Sequence, residues 1–205
     1  MKNNFDIRIL TDRYDTIGID IGKTNELDIG CGKGGFTCAL AQKYPERAVF
    51  AADVMLGRLR KLGSRISRTG ISNITLLRVD ACALPAYILP DSSIDRIHIL
   101  CPDPWPKARH RGNRLMSSEF IGKLLRILNP GGVVHFATDD VPYLNSVVSL
   151  FSQDISYIRD DSAIADLSDI KSDFEIKWES EGTRVEHSGW RKVERHEHRT
   201  LNSEH

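Results

Sequence analysis

Five short runs rich in apolar and β-branched residues, at 26–29, 48–52, 74–79, 94–100 and 133–137, alternate with amphipathic segments at 36–43, 55–69, 118–128 and 143–151. Parallel strands cannot be joined by tight turns; each connection needs roughly a dozen residues or more, and the amphipathic segments supply them. Helices delivered in this way cover both faces of a mostly parallel sheet, which predicts an α/β fold. Asn129-Pro130-Gly131-Gly132 stops the helix that precedes the fifth strand. Beyond Ser152 the pattern weakens, and 155–158 and 174–178 read as possible later strands. Residues 1–24 read as an irregular opening. With no Gly/Ser linker or repeat to divide it, the chain is expected to form one domain over 1–205.

Cations and acids balance at 28 each, so net charge does not by itself mark a polyanion binder. The balance is uneven. Between Asp154 and Glu181 lie nine acids and three cations, which leaves 25 cations against 19 acids elsewhere and allows a basic face. Residues 1–10 lack the charged start and apolar run of a secretory leader, and no apolar stretch approaches the ~20 residues of a membrane span. A soluble, cytoplasmic protein without a membrane partner is expected. Cys31, Cys38, Cys82 and Cys101 form no C-x-x-C pair, and free thiols are expected rather than disulfides or a metal site.

The first strand ends in Asp28-Ile29-Gly30-Cys31-Gly32-Lys33-Gly34-Gly35. Glycines allow a tight turn and a close approach of backbone to ligand, and the helix that follows presents free N–H groups. Gly30, Gly32 and Gly35 satisfy the dinucleotide pattern G-x-G-x-x-G, with Asp53 where an acid would hold ribose hydroxyls, so an NAD-dependent oxidoreductase fits these residues. Asp28, Asp53 and Asp80, at the ends of three successive strands, tilt the choice. A pyrophosphate avoids so acidic a cleft, whereas a sulfonium cofactor bearing an amino group suits it, which favours S-adenosylmethionine.

The fourth strand runs into Pro102-Asp103-Pro104-Trp105-Pro106-Lys107, followed by Arg109, His110, Arg111 and Arg114. Three prolines hold Asp103 and Trp105 on a stiff, non-helical loop at the sheet edge where open α/β folds bind ligands. The cations lack a nearby acid and point to phosphate binding, while Trp105 reads as a packing anchor and His110 as part of the cationic surface. Arg58, Lys61, Arg65 and Arg68 form a second stripe at helical spacing, read as a solvated face opposite Leu59, Leu62 and Ile66.

Taken together, Asp28-x-Gly30-x-Gly32-x-Gly34, Asp53, Asp80-Ala81, the Pro-Asp-Pro-Trp-Pro-Lys run with Arg109-His110, and Phe136-Ala137-Thr138-Asp139 resemble the bacterial tRNA (guanine-N7)-methyltransferase family. The resemblance runs from Glu26 to Tyr143, with a weaker echo of a Thr-x-x-Glu element in Thr183-Arg184-Val185-Glu186. It implies a Rossmann-like class I methyltransferase domain with a mostly parallel seven-stranded sheet, helices on both faces, and residues 183–205 as a C-terminal substrate-side segment. It further implies methyl transfer from S-adenosylmethionine to N7 of a guanine in the tRNA variable loop, by a monomer or homodimer. Asp28, Gly30, Gly32, Gly34, Asp53, Asp80, Ala81 and Asp103 would then bind the cofactor, with Asp103 catalytic. Lys107, Arg109, Asp139, Thr183, Arg184, Val185 and Glu186 would bind the substrate. The alternatives are another Rossmann-like RNA methyltransferase and a non-catalytic tRNA-binding protein of the same fold. An exocyclic-amine methyltransferase would carry Asp-Pro-Pro-aromatic after the fourth strand, an order this chain lacks.

Guanine N7 carries a lone pair and no proton, so its methylation requires no base at the attacking atom and positioning dominates. A carboxylate that accepts from N1–H and the exocyclic amine would select guanine and stabilise the developing positive charge; Asp103, with Asp139, is assigned that part.

Overall fold

A computed structural model describes residues 5–12, 14–105 and 107–193, and the side chains of Ala108 and Arg111 lie outside the described set. Pro106 of the proline loop falls outside it as well.

Among the described residues the chain order is β1 (Ile7–Ile9), β2 (Asn25–Ile29), α1 (Gly35–Lys43), β3 (Ala48–Asp53), α2 (Leu56–Thr69), β4 (Ile74–Arg78), β5 (Ile94–Leu100), α3 (Ser118–Ile127), β6 (Leu128–Thr138), α4 (Val141–Gln153), β7 (Tyr157–Arg159), α5 (Asp173–Ser180) and β8 (Glu186–Lys192). The strands form one sheet in the order β1-β4-β3-β2-β5-β6-β8-β7. The first six in that order pair in parallel, and β8 and β7 close the far edge antiparallel. Strand order reverses at β2, which pairs with β3 on one side and β5 on the other. A crevice opens there at the carboxyl ends of the strands.

Alternation along the strands assigns the faces. Leu27, Ile29, Phe50, Ala52, Ile97, Ile99, Val134 and Phe136 point toward α3 and α4 and form the main core with Phe120, Leu124, Tyr143 and Phe151. The other face packs under α1 and α2, through Phe36, Leu40 and Val49 in one cluster and Ala51, Leu59 and Leu62 in another. On this second face the strands also bury Glu26, Asp28, His98 and His135.

The five expected strands and four expected helices are present, with shifted ends, and the sheet has eight strands rather than seven. The eighth comes from the opening, where Ile7, Arg8 and Ile9 pair with Leu76, Leu77 and Arg78 at the sheet edge, so 1–24 is not wholly irregular. Residues 174–178 are helical, which corrects their reading as a strand. Ser172 Oγ accepts the Glu175 N–H at 3.1 Å while the Glu175 carboxylate accepts the Ser172 N–H at 3.4 Å, a capping box that starts α5.

Candidate functional site

The glycine loop holds its shape through its own backbone. Gly30, Gly32 and Gly34 have φ of 81°, 58° and 77°, a region costly for residues with a Cβ. The N–H groups of Gly30 and Cys31 both donate to the carbonyl of Ala52, at 2.8 and 3.0 Å, which pins the loop to the end of β3. An added Cβ at Gly30 would meet nothing within 4 Å, so the space over the loop is open there, whereas one at Gly34 would lie 2.2 Å from Leu62 Cδ1.

The acids play different parts. Asp28 is buried beside the loop and accepts from Thr37 Oγ1 at 2.6 Å. Burial pushes its pKa up to about 6, the nearby Asp53 adds to the rise, and Thr37 and His98 oppose it. Asp53 is buried behind the loop, accepting the Gly32 N–H at 3.1 Å and the Met55 N–H at 2.7 Å, with Arg58 Nη1 3.5 Å away. It braces the turn. Asp80 is exposed and accepts the Cys82 N–H at 2.8 Å, while Ala81 packs partly buried against the main core.

A cavity of about 320 Å³ occupies the crevice between β2 and β5, with Asp28, Gly30, Gly32 and Phe36 on one side and Leu100 on the other. Ser172, Asp173, Phe174 and Lys177 of the α5 turn roof it. Asp173 ties that roof down, accepting the Gly35 N–H at 3.2 Å and pairing with Arg65 at 3.5 Å. Sequence reasoning missed this segment, although Ser172-Asp173-Phe174-Glu175 repeats the hydroxyl-x-x-Glu spacing assigned to Thr183–Glu186. A larger cavity, about 800 Å³, lies away from the glycine loop; its two cations, Arg126 and Lys192, donate to backbone carbonyls.

The cavity's donor set answers which ligand fits. A buried carboxylate, left-handed glycines under open space and an aromatic wall suit the adenosine, amino and sulfonium groups of S-adenosylmethionine, and the cations Lys33, Arg58 and Lys177 also line the cavity.

From Leu100, β5 leads straight into the proline loop. Cys101 and Trp105 have φ of 48° and 42°, a strained region for residues other than glycine. Asp103 and Lys107 are exposed; Trp105 is 37% exposed and meets His110 edge-on at 5.9 Å, so it is not a buried anchor. Arg109 is exposed and donates through Nε to His110 Nε2 at 3.2 Å, and Arg114 Nε donates to the Pro104 carbonyl at 2.7 Å. Asp139, half-buried, follows the end of β6. Burial raises the Cys101 thiol to about 12, and the charges of Asp139 and Glu175 add to the rise, so those two acids lie around the same strand end.

Thr183, Arg184, Val185 and Glu186 do not line the Asp28 cavity. Thr183 N–H donates to the Trp178 carbonyl at 2.9 Å, Arg184 pairs with Glu186 at 3.0 Å, and Val185 is buried. Glu186 starts β8 opposite Thr138, one residue from Asp139. Along α2, Arg58 faces Asp53 and Arg65 faces Asp173, while Lys33, Arg60, Lys61 and Arg68 border an open groove beside the glycine loop.

Residues 23–187 match a family described as "Putative methyltransferase". The tRNA (guanine-N(7)-)-methyltransferase of Neisseria meningitidis serogroup C is 37% identical over 167 residues, covering 80% of this chain and 68% of that protein. That of Thermotoga maritima is 31% identical over 159 residues, and the chain spans about half of its length, 51%, while 78% of this chain is matched. Among solved structures, an rRNA methylase from Streptococcus thermophilus superposes with a TM-score of 0.55 at 21% identity, covering 86% of this chain and 90% of that one; this likeness concerns the fold alone. The family match over most of the chain and the shared fold place the protein among the methyltransferases of the Rossmann-like class. Within that class the chain belongs to the tRNA (guanine-N7)-methyltransferase family. No helix among the described residues is long and apolar enough to cross a membrane.

Proposed function

We propose that this protein methylates N7 of a guanine in the variable loop of tRNA, with Asp103 at the reacting base and Lys107 and Arg109 on the RNA backbone. One observation carries the reading: β5 contributes Leu100 to the cavity wall and runs within three residues to Asp103, so a single strand end joins the cavity beside Asp28 to the basic loop. When bound, S-adenosylmethionine supplies an electrophilic methyl group. The protein's task is to orient, since N7 already holds the attacking lone pair, and such positioning can supply about 7 kcal/mol or more of the barrier. Asp28 would hold the cofactor's cationic end, and the glycine loop would bring its backbone close to it. Asp103 accepts hydrogen bonds from the guanine's N1–H and amino group and stabilises the positive charge that grows on the purine, with Asp139 beside it. Exposed Lys107 and Arg109 meet phosphates, where released counterions make affinity salt-dependent.

Incubation with labelled S-adenosylmethionine and unmodified tRNA, followed by nucleoside analysis, is expected to yield 7-methylguanosine; another methylated nucleoside, or none, overturns the proposal. Asp103→Ala is expected to abolish transfer while tRNA binding, followed by filter retention, stays close to wild type. Replacing Lys107 and Arg109 by alanine should reduce the slope of log affinity against log salt by about one per residue.

A further inference from the structure

A buried polar chain crosses the sheet beneath α1. Glu26 Oε2 lies 2.8 Å from His98 Nε2, and His98 Nδ1 lies 3.1 Å from His135 Nδ1. His135 Nε2 is 2.9 Å from His187 Nδ1, and His187 Nε2 is 3.1 Å from Glu175 Oε1. The chain thus runs over the adjacent strands β2, β5, β6 and β8 and ends on α5, whose first turn roofs the cavity. Glu26, His98 and His135 are buried, and Phe36 packs against both imidazoles at centroid distances of 4.8 and 6.2 Å.

Proton counting decides the charge on this chain. Four contacts need four shared protons, whereas three neutral imidazoles hold three, whichever tautomers they adopt. Without a fourth, one of the four contacts would set two lone pairs face to face, nitrogen against nitrogen or nitrogen against carboxylate, which in a buried site costs what an unsatisfied polar group costs. Glu26 does not carry the extra proton. Burial favours its neutral form, but His98, Arg96 and Arg47 outweigh burial and hold the carboxyl at about 2. At the other end, His187 together with the Ser172 N–H and Lys171 holds Glu175 below the usual range despite its burial.

We infer that the chain carries one extra proton, an imidazolium shared between His98 and His187 through a neutral His135, and that His187 is the positioning residue fixing α5 over the cavity. Either placement of the charge satisfies all four contacts. With His98 charged, His135 donates through Nε2 to His187; with His187 charged, His135 donates through Nδ1 to His98. Burial, reinforced by the neighbouring imidazoles and Arg96, keeps His135 itself neutral. Facing the Glu26 end are Arg47 and Arg96, with Asp166 paired to Arg96, and Asp28 stands beside His98 in register on β2. Around the His187 end stand Lys171, Glu179, Arg184 and Asp161.

The positioning role rests on the reading that the cavity holds S-adenosylmethionine; the charge on the chain does not. Ring-nitrogen NMR of the full chain labelled with ¹⁵N-histidine reads that charge with no ligand present. The expected result near neutral pH is a singly protonated His135 and four ring protons across the three residues, with one lost in a single step as the pH rises. Calorimetry with S-adenosylmethionine should show affinity falling about tenfold across the same step, a coupling of ordinary size. His187→Ala should show the weakened affinity already at neutral pH and no step. His187→Gln, which keeps a donor for Glu175, should recover most of the affinity without the step. Three neutral imidazoles at neutral pH would overturn the inference, as would a folded His187→Ala protein with wild-type affinity and pH dependence. An intact extra proton without any cofactor binding refutes the cavity's assignment and the positioning role built on it, while the charged chain stands.

Discussion

In the glycine loop the residues with left-handed backbone are Gly30, Gly32 and Gly34, whereas in the proline loop they are Cys101 and Trp105. The first loop is braced from every side, by the Ala52 carbonyl, Asp53 and the roofing Asp173. The second stores strain, of order 1–3 kcal/mol per residue held in such a conformation, and exposes Asp103, Lys107 and Arg109 to solvent. The contrast teaches a division of labour. The loop beside the cavity is preorganised and nearly unstrained, and the basic loop proposed to meet RNA keeps its charges outside and its backbone under tension.

The sharpest way to break the comparison is to place strain in the braced loop. Gly34→Ala puts a methyl 2.2 Å from Leu62 at a φ of 77°, adding about 1–2 kcal/mol of backbone cost to about 1–3 kcal/mol of overpacking. Chemical denaturation should register the loss, and calorimetry should detect no cofactor binding. Asp28→Asn comes next. It should weaken S-adenosylmethionine about tenfold to a hundredfold at pH 7.5, the effect of losing a charge-assisted hydrogen bond. The sign in pH follows from a carboxyl raised to about 6: the wild type should lose affinity as pH falls through that value, and the variant should not. Because the raised carboxyl destabilises the fold as it ionises between its unfolded value near 3.8 and 6, the cofactor-free variant should be more stable than wild type at pH 7.5. The smallest effect belongs to the strained loop, where Trp105→Gly relieves a φ of 42°. Thermal unfolding should change by less than about 1 kcal/mol, since the released strain and the flexibility of glycine offset each other.

The parts of the fold legible in the sequence are those whose burial is apolar. Strands β2 to β6 announce themselves as short apolar, β-branched runs, and Gly30 to Gly34 by a turn that only glycine makes cheaply. The missed elements draw their stability from distant or polar partners. Strand β8 faces the α1 side of the sheet with His187, Gly189 and Arg191, so its alternation carries no apolar signal; its registration with β6 and the bond from Gly189 N–H to Asp161 hold it. Helix α5 reads as a strand through Phe174, Ile176 and Trp178, and only the Ser172–Glu175 capping box speaks for its true form. Strand β1 has three residues and exists because β4 offers it an edge. At the site, the acids and the proline loop were visible as residue types, while the roof was not, because its contact with the glycine loop spans 138 positions of sequence.

That span has a consequence during synthesis. Asp173 leaves the ribosome long after Gly35, on the order of ten seconds later at ordinary elongation rates. Through that interval a nascent chain holds the glycine-loop floor of the cavity without the α5 roof. Closure of the cavity therefore waits on α5, and a chain cut short before α5 would leave the crevice beside Asp28 open to water.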